Sequence, residues 1–171
     1  MRAPRLISAL FLLALLLACT RPTPTATPTT APTEPSPVQV TVYFTDRNRF
    51  AAGDPPFEEA VTRSVPAGSD LRTAVLAEFF KGPTEEEQAR GLDAITSGFT
   101  GFSSLEMQNG IARVYLSGPC ASHGGVYTIA QPIMRNLLQF QEIKNVKIYD
   151  AEGVTGQPDG ASNSIPPCLE P

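Results

Sequence analysis

The segment FSSLEMQNGIARVYL, residues 102–116, predicts a β-hairpin, and the rest of the fold can be read outward from it. In each half, apolar residues recur at alternate positions, as they do in strands that bury one face. Asn109-Gly110 lies between the halves. These two residue types readily adopt the positive φ angles that a two-residue hairpin turn requires.

A helix and a second, shorter helix are predicted before the hairpin. Residues 71–81 carry apolar side chains at helical spacing, Asp70 is the expected N-cap, and Gly82-Pro83 ends the helix. Thr84-Glu85-Glu86-Glu87 then has the pattern of a capping box that opens a short acidic helix. The three adjacent glutamates could instead be metal ligands or general bases. Because their neighbours do not converge on one face, a solvated helix cap is the preferred interpretation.

Strands are predicted at both ends of the globular region. Residues 38–44 alternate with period two, residues 45–56 form a polar loop, and residues 57–68 follow as a second strand. After the hairpin, apolar residues at helical spacing predict a helix that begins just before Pro132 or bends there. Residues 146–149 form the last strand. The pattern predicts an α+β domain over residues 38–151, with a mixed sheet of about five strands and two main helices.

The N-terminus has the features of an export signal. Residues 1–18 contain two arginines followed by an apolar run that is too short for an ordinary transmembrane helix. Leu16-Leu17-Ala18-Cys19 then resembles the bacterial lipobox, in which the cysteine thiol receives a diacylglyceryl group. The alternative is a cysteine that stands by chance at the end of a signal peptide. With lipidation of Cys19, we expect a lipoprotein on the extracytoplasmic face of the cell membrane, or of an outer membrane.

Low-complexity segments flank the predicted domain. Residues 19–37 contain the lipidated Cys19 followed by a Thr/Pro-rich tract, which lacks the apolar face needed to offset the entropy of ordering it. This segment is predicted to be a spacer that lifts the domain from the membrane. Residues 152–171 are rich in Gly, Pro and Ser without any periodicity, and predict an irregular C-terminal tail.

Particular residues of the domain resemble the GerMN domain, the sporulation and spore germination domain of bacterial envelope proteins. They are Lys81-Gly82-Pro83-Thr84-x-x-Glu87, Gly91-Leu92, the hairpin through Asn109-Gly110, and Phe140-x-x-Ile143-Lys144-x-Val146. The resemblance extends over residues 38–151. It implies a fold like the ring-building α/β modules of sporulation channels and secretion systems. It also implies a domain without established catalytic residues, so none is assigned here.

Two departures from the family pattern limit what the resemblance implies. Where members continue the hairpin strand with Asp-Leu-Ser, this chain has Tyr115-Leu116-Ser117-Gly118-Pro119-Cys120. The chain also adds a tail that contains Cys168. A role in sporulation itself therefore does not follow from the resemblance alone.

The cysteines predict a disulfide. With Cys19 lipidated, only Cys120 and Cys168 remain, and a disulfide between them is favoured outside the cytoplasm. The alternative is two free thiols. A free Cys120, three residues before the single histidine, His123, is the best candidate for a thiol enzyme. No third residue that would orient such a pair can be identified.

Charge and composition exclude several classes of function. The chain has 13 basic and 17 acidic residues, which argues against nucleic acid as a partner. One histidine and three cysteines leave too few ligands for most zinc sites, and we expect neither metal nor cofactor. The exposed members of one aromatic set are candidates for a glycan or peptide platform, although at least half of the set should be core: Tyr43, Phe50, Phe99, Phe102 and Tyr115.

The sequence supports two main hypotheses of function. The first is a non-enzymatic, lipid-anchored interaction or assembly module of the cell envelope, whose partners are envelope proteins or a peptidoglycan-associated assembly. It would use exposed strand edges or helix faces. The alternative is an extracytoplasmic lipoprotein that binds a cell-wall fragment or a small solute in a cleft.

Overall fold

Two three-stranded sheets form the frame of the domain in a computed structural model, which describes residues 36–122 and 124–171. The elements in chain order are β1 (Val38–Asp46), α1 (Arg47–Ala52), β2 (Glu58–Val65), α2 (Leu71–Lys81), α3 (Glu85–Ala89), β3 (Leu92–Asp93), β4 (Gly101–Gln108), β5 (Ile111–Ser117), α4 (Ala130–Leu138), β6 (Asn145–Tyr149) and a 3-10 turn at Pro167–Leu169. Within the described residues, no helix is long and apolar enough to cross a membrane.

The strands are divided between the two sheets rather than collected in the one mixed sheet that the sequence predicts. In the first sheet, β1 lies between β2 and the two-residue β3, and both pairings are antiparallel. In the second, β5 lies between β4, which is antiparallel to it, and β6, which is parallel. The α+β class and the two main helices, α2 and α4, are confirmed.

The hairpin has the predicted turn. Gln108 pairs with Ile111 across Asn109-Gly110, and these two residues have φ angles of 52° and 76°. The carbonyl of Gly110 also accepts a hydrogen bond from the Lys144 amide at 2.8 Å. The turn therefore holds the segment that leads into β6, as well as reversing the chain.

A side chain, rather than a strand, completes part of the free edge of β1. The Asn136 side chain on α4 is fully buried. Its amide oxygen accepts from the Tyr43 backbone N–H at 2.9 Å, and its amide nitrogen donates to the Tyr43 carbonyl at 2.9 Å. Gln139 donates to the Thr41 carbonyl at 3.1 Å. Because buried backbone groups need partners, α4 closes this edge and separates the two sheets.

One hydrophobic core lies between the sheets and the two main helices. The alternating residues of β1 and β5 that face inward are buried, as the period-two patterns predict. Helix α4 begins at Ala130, so Pro132 is in its first turn, where a backbone N–H would have no helical partner. The main contributors to the core are Val40, Val42, Phe44, Leu76, Phe79, Val114, Leu116, Ile133, Leu137, Val146 and Ile148.

An ion pair links the predicted capping box to the first sheet. Thr84 and Glu87 form the capping box at the start of α3, as the sequence predicts. Glu87, expected to be solvated, is in fact buried and accepts two hydrogen bonds from Arg63 of β2, at 2.7 and 2.5 Å. The Arg63 guanidinium also lies 5.6 Å from the centre of the Phe44 ring. Glu87 therefore joins α3 to the sheet.

A six-residue helix, α1, occupies the predicted loop 45–56. Asp46 caps it by accepting hydrogen bonds from the Asn48 and Arg49 amides at 2.8 and 3.2 Å. Gly53 ends it in the left-handed region, with φ 69°. None of the residues of α1 is buried. It therefore has no apolar face from which periodicity could have predicted it.

We expect the Asn136→Ala substitution to destabilise the domain by about 2 kcal/mol, since it leaves buried backbone groups of Tyr43 without partners. The midpoint of urea unfolding measures the effect. Leu138→Ala, in a half-exposed position on the same helix, is the matched control and should cost less. Equal shifts for the two variants would contradict the role assigned to Asn136.

We expect acid to destabilise the domain partly through Glu87. The hydrogen bonds from Arg63 lower the pKa of Glu87 from 4.5 to about 2. Stability gained from a lowered carboxyl pKa is present above pH 4.5 and is lost as the pH falls toward 2. Glu87→Gln should therefore flatten the dependence of melting temperature on pH across this range. Glu86→Gln, on the exposed side of α3, should leave the dependence as it is in the native chain.

Candidate interaction surface

Three aromatic side chains pack together at one corner of the domain. Phe50 of α1 lies 5.4 Å from Phe57 and 5.0 Å from Tyr127, measured between ring centres, and Phe57 lies 5.9 Å from Tyr127. Phe50 is 43% exposed, and Val126, beside Tyr127 in the chain, is 78% exposed. We call these four residues the aromatic corner. Together they are an apolar surface in contact with water.

Hydrogen bonds fix Tyr127 within the aromatic corner. Its hydroxyl donates to the Glu58 carboxylate at 2.6 Å and lies 3.2 Å from the Thr45 hydroxyl. Burial and the bond to Glu58 raise the pKa of Tyr127 well above its usual value. The phenol therefore stays protonated and anchors the loop that precedes α4 to the first sheet.

The backbone around α1 holds Phe50 at the end of the first sheet. The Asp46 amide donates to the Phe57 carbonyl at 2.7 Å, and the Arg47 amide donates to the Gly91 carbonyl at 3.0 Å. Both ends of α1 are capped, as described above. The exposed ring is thus carried by a fixed turn of helix, which reduces the entropy lost when a partner binds it.

Two arginines, Arg47 and Arg49, lie on α1 with Phe50, and Arg90 contacts α1 through its carbonyl, which accepts a hydrogen bond from the Asn48 side chain. Arg47 donates to the carbonyls of Gly91 and Gln88, both at 3.4 Å. Arg49 lies 3.4 Å from the Asp46 carboxylate, and Arg90 lies 3.0 Å from that of Glu59. Exposed aromatic rings beside arginines are the composition that is enriched in the energetically important parts of protein interfaces.

The predicted aromatic platform is not one surface. Phe99 is buried, Phe102 packs on Phe80 at 5.9 Å, and Tyr115 stacks on Tyr149 at 4.6 Å. Tyr43 lies under the Arg135 guanidinium, at 4.4 Å. Of the five predicted residues only Phe50 belongs to the aromatic corner. Phe57 and Tyr127 were missed because nothing in the local sequence brings these distant positions together.

The strand edges that the sequence suggested for assembly are largely protected. Asn136 closes the edge of β1, and Ser164 of the tail pairs with β6. The outer strands β2 and β4 remain at the edges of their sheets. β2 directs the charged Arg63 inward and β4 has a bulge between Phe102 and Ser104, and both features disfavour further strand pairing.

Two of the three cysteines are joined. Cys120 and Cys168 form a disulfide that ties the tail to the segment after β5. The Ser122 hydroxyl also donates to the Cys168 carbonyl, at 2.6 Å. A disulfide sulfur is no nucleophilic thiol, so Cys120 in this state cannot act as the thiol enzyme considered above. Cys19 and His123 lie outside the described residues.

A cleft with a volume of about 270 Å³ lies at the start of α2. Arg72 stands in it and binds Asp70 closely, while the Glu142 carboxylate lies 3.6 Å from Arg72. The bonds from Arg72 lower the pKa of Asp70 to about 2. The charged groups of this cleft therefore satisfy one another. The described residues include no group of three or more His, Cys, Asp or Glu placed to hold a metal ion.

Comparison with protein families identifies a domain in this chain. The family model called Germane, described as sporulation and spore germination, matches residues 41–157. The chain belongs to the Germane family.

The Germane domain of this chain was also compared with individual proteins. A search of curated proteins found no match to it. Among solved structures, it is similar to the tandem GerMN domains of the sporulation protein GerM from Bacillus subtilis, with 18% sequence identity and a TM-score of 0.46. That match covers 69% of this chain and 43% of the other.

The residues that carried the resemblance have structural roles in this Germane domain. Lys81 to Glu87 form the turn from α2 into the capped α3, where Glu87 binds Arg63. Gly91 has a φ angle of 103°, and a Cβ there would lie 2.5 Å from the Asn48 side chain. Only glycine is therefore accommodated where α1 contacts the strand β3. These residues maintain the fold that presents the aromatic corner, and none of them belongs to that corner.

Proposed function

We propose that this Germane domain is a non-enzymatic interaction module of the bacterial cell envelope, held at the membrane by a lipid on Cys19. The observation that carries the proposal is the aromatic corner, an exposed apolar surface on a fixed scaffold. Its partner is an envelope protein or a peptidoglycan-associated assembly. Nucleic acid is not a partner, because the chain is acidic.

The N-terminal sequence supports the membrane anchor. Cleavage before Cys19 would remove Arg2 and Arg5, leaving 11 basic and 17 acidic residues and a net charge of −6. Such a domain is repelled by anionic headgroups. The Thr/Pro-rich residues 20–37, at about 3.1 Å per residue in an extended polyproline conformation, reach roughly 55 Å from the bilayer. The aromatic corner would then be available to proteins that are not at the membrane surface.

The chemistry of the aromatic corner suits a protein partner. Full burial of a phenylalanine side chain contributes about 1.5–3 kcal/mol, and neighbouring residues in an interface exclude water from such a side chain. Arg47 has bonds only to carbonyl oxygens within the described residues, so its guanidinium can also receive a carboxylate of the partner. The hypothesis of a small-molecule site rests on the cleft at Arg72, where the carboxylates of Asp70 and Glu142 are already engaged.

We expect Phe50→Ser to abolish or greatly reduce crosslinking to the partner in intact cells while the domain stays folded, since Phe50 is 43% exposed and is not part of the buried core. Crosslinking followed by mass spectrometry measures the loss, and circular dichroism of the purified chain checks folding. Leu138→Ser is the matched control, since Leu138 is exposed to a similar degree, at 40%, but lies on α4.

Two results would contradict this use of the aromatic corner. One is an unchanged set of crosslinked proteins for Phe50→Ser. The other is an equal loss for Leu138→Ser, which would indicate a general effect of removing surface apolar groups. An enzymatic turnover abolished by either variant would require a different function altogether.

Cys19→Ser tests the anchor separately. We expect this variant to leave the membrane fraction, or to keep its signal peptide, because serine cannot form the thioether to the lipid. Fractionation and intact mass measure both outcomes. If the variant and the native chain have the same fractionation and the same N-terminal mass, Cys19 is not lipidated. This result would leave the interaction role of the aromatic corner to be judged by Phe50→Ser.

A further inference from the structure

The C-terminal segment Thr155–Pro171, here called the strap, covers the outer edge of β6. The Ser164 amide donates to the Val146 carbonyl at 3.0 Å, and the Ile148 amide donates to the Ser164 carbonyl at 2.9 Å. The Asn163 side chain accepts from the Val146 amide at 2.8 Å. The strap therefore supplies hydrogen-bond partners to the backbone at the β6 edge, as a neighbouring strand would.

The strap also buries residues that would otherwise be exposed on the second sheet. Lys147 of β6 is fully buried, and its ammonium donates to the carbonyls of Gln157 and Asp159 at 2.6 and 3.0 Å. Leu169 at the far end of the strap is 1% exposed and belongs to the core. The strap thus makes specific polar and apolar contacts along its length.

Internal bonds give the strap a shape of its own. The Gly156 amide donates to the Ile165 carbonyl at 2.8 Å, and the Ser164 hydroxyl accepts from the Gln157 amide at 2.7 Å. The hydroxyls of Thr155 and Ser164 are 2.8 Å apart. Since these bonds lie within the strap, they are kept if the strap moves as a unit to another β6 edge.

A single short turn connects β6 to the strap. The Asp150 carboxylate accepts from the Glu152 and Val154 amides, at 3.2 and 2.8 Å, and the Asp150 amide donates to the Val154 carbonyl. Residues 151–154 are all exposed. Opening this turn redirects the strap, with its core residue Leu169, away from its own β6, and the turn residues 151–154 that change conformation are all exposed. Short connections of this kind favour the exchange of identical elements between two copies of a chain.

We propose that the strap is exchangeable, so that the β6 edge also takes the strap of a second copy of this chain. Every contact in the exchanged pair is one that the structure already contains, and only the turn at 150–154 differs. The family match ends at residue 157, so nearly all of the strap is an addition to the Germane domain. The inference concerns a second copy and is independent of the partner proposed for the aromatic corner.

The Cys120–Cys168 disulfide holds the strap on its own domain. A dithiol that reduces it supplies two electrons and two protons, and is itself oxidised to a disulfide. The strap is then held by non-covalent contacts alone. Reoxidation after exchange joins Cys168 of one copy to Cys120 of the other, with an oxidised disulfide such as glutathione disulfide accepting the two electrons and two protons.

Complementary cysteine variants test the exchange. The full-length chain is used in detergent, with Cys19→Ser in every protein so that only two thiols remain. One protein also carries Cys120→Ser and the other Cys168→Ser. Neither can close its own disulfide, so the bond between Cys168 of the first and Cys120 of the second forms only between copies. After mixing with reduced and oxidised glutathione, we expect covalent heterodimer to be the main species on a non-reducing gel.

A third variant separates exchange from chance collision of thiols. Adding Ser164→Pro to the protein that retains Cys168 removes the N–H that bonds to Val146, so the yield of heterodimer should fall several-fold. Equal yields with and without Ser164→Pro, or no heterodimer in the mixture, would overturn the proposal.

The Cys19→Ser chain with both remaining cysteines gives a measurement that does not depend on the folding of the single-cysteine variants. Unlabelled and isotope-labelled chains are reduced together and reoxidised at increasing concentration. We expect disulfide-linked peptides that join Cys120 of one isotope to Cys168 of the other, in a fraction that rises with concentration. Only same-isotope pairs at every concentration would overturn the exchange.

Discussion

On the side of β1 that faces away from β2, the backbone of Tyr43 has no strand beside it, and the arrangement of the two sheets depends on how its N–H and C=O are satisfied. Asn136 supplies one acceptor and one donor in the geometry that a neighbouring strand would offer. Because Asn136 occupies this edge, the first sheet continues past β1 only at the two residues of β3. It also fixes α4 against β1, and α4 in turn packs on β6. One amide group therefore occupies the edge of β1 at Tyr43 and holds α4 against the first sheet.

Local signals predicted the elements that are specified by their own residues. The Asn109-Gly110 turn, the α2 helix with its Asp70 cap, and the capping box at Thr84 all depend on residues within a few positions of one another. The division of the sheet could not be predicted in this way. It depends on the side-chain amide of Asn136, which is 93 positions from its partner Tyr43 in the sequence. Asn136 lies on a helix whose sequence pattern indicates only that the helix is amphipathic. The burial of Glu87 was missed for the same reason, because Arg63 is on another strand.

The residues of the family motif and the residues of the aromatic corner are different sets. Residues of the family motif form the α2–α3 turn, the Glu87 half of the Arg63–Glu87 ion pair, and the contact of Gly91 with Asn48. The aromatic corner contains one residue of α1, one residue immediately before β2 and two residues of the loop before α4. Its members become neighbours only when the first sheet has formed. A motif of this kind identifies the scaffold, whereas the partner must be sought at positions that the motif does not include.

The distance in sequence between Tyr43 and Asn136 also bears on how the chain folds. The hairpin of β4 and β5 closes locally and can form within microseconds, whereas contacts across long loops form more slowly. Until α4 arrives, the central strand VQVTVYF has a bare edge rich in β-branched residues. Such segments are prone to pair with other chains. The folding chain therefore passes through a period in which the edge of its first strand is unprotected, and this period ends when the Asn136 side chain docks.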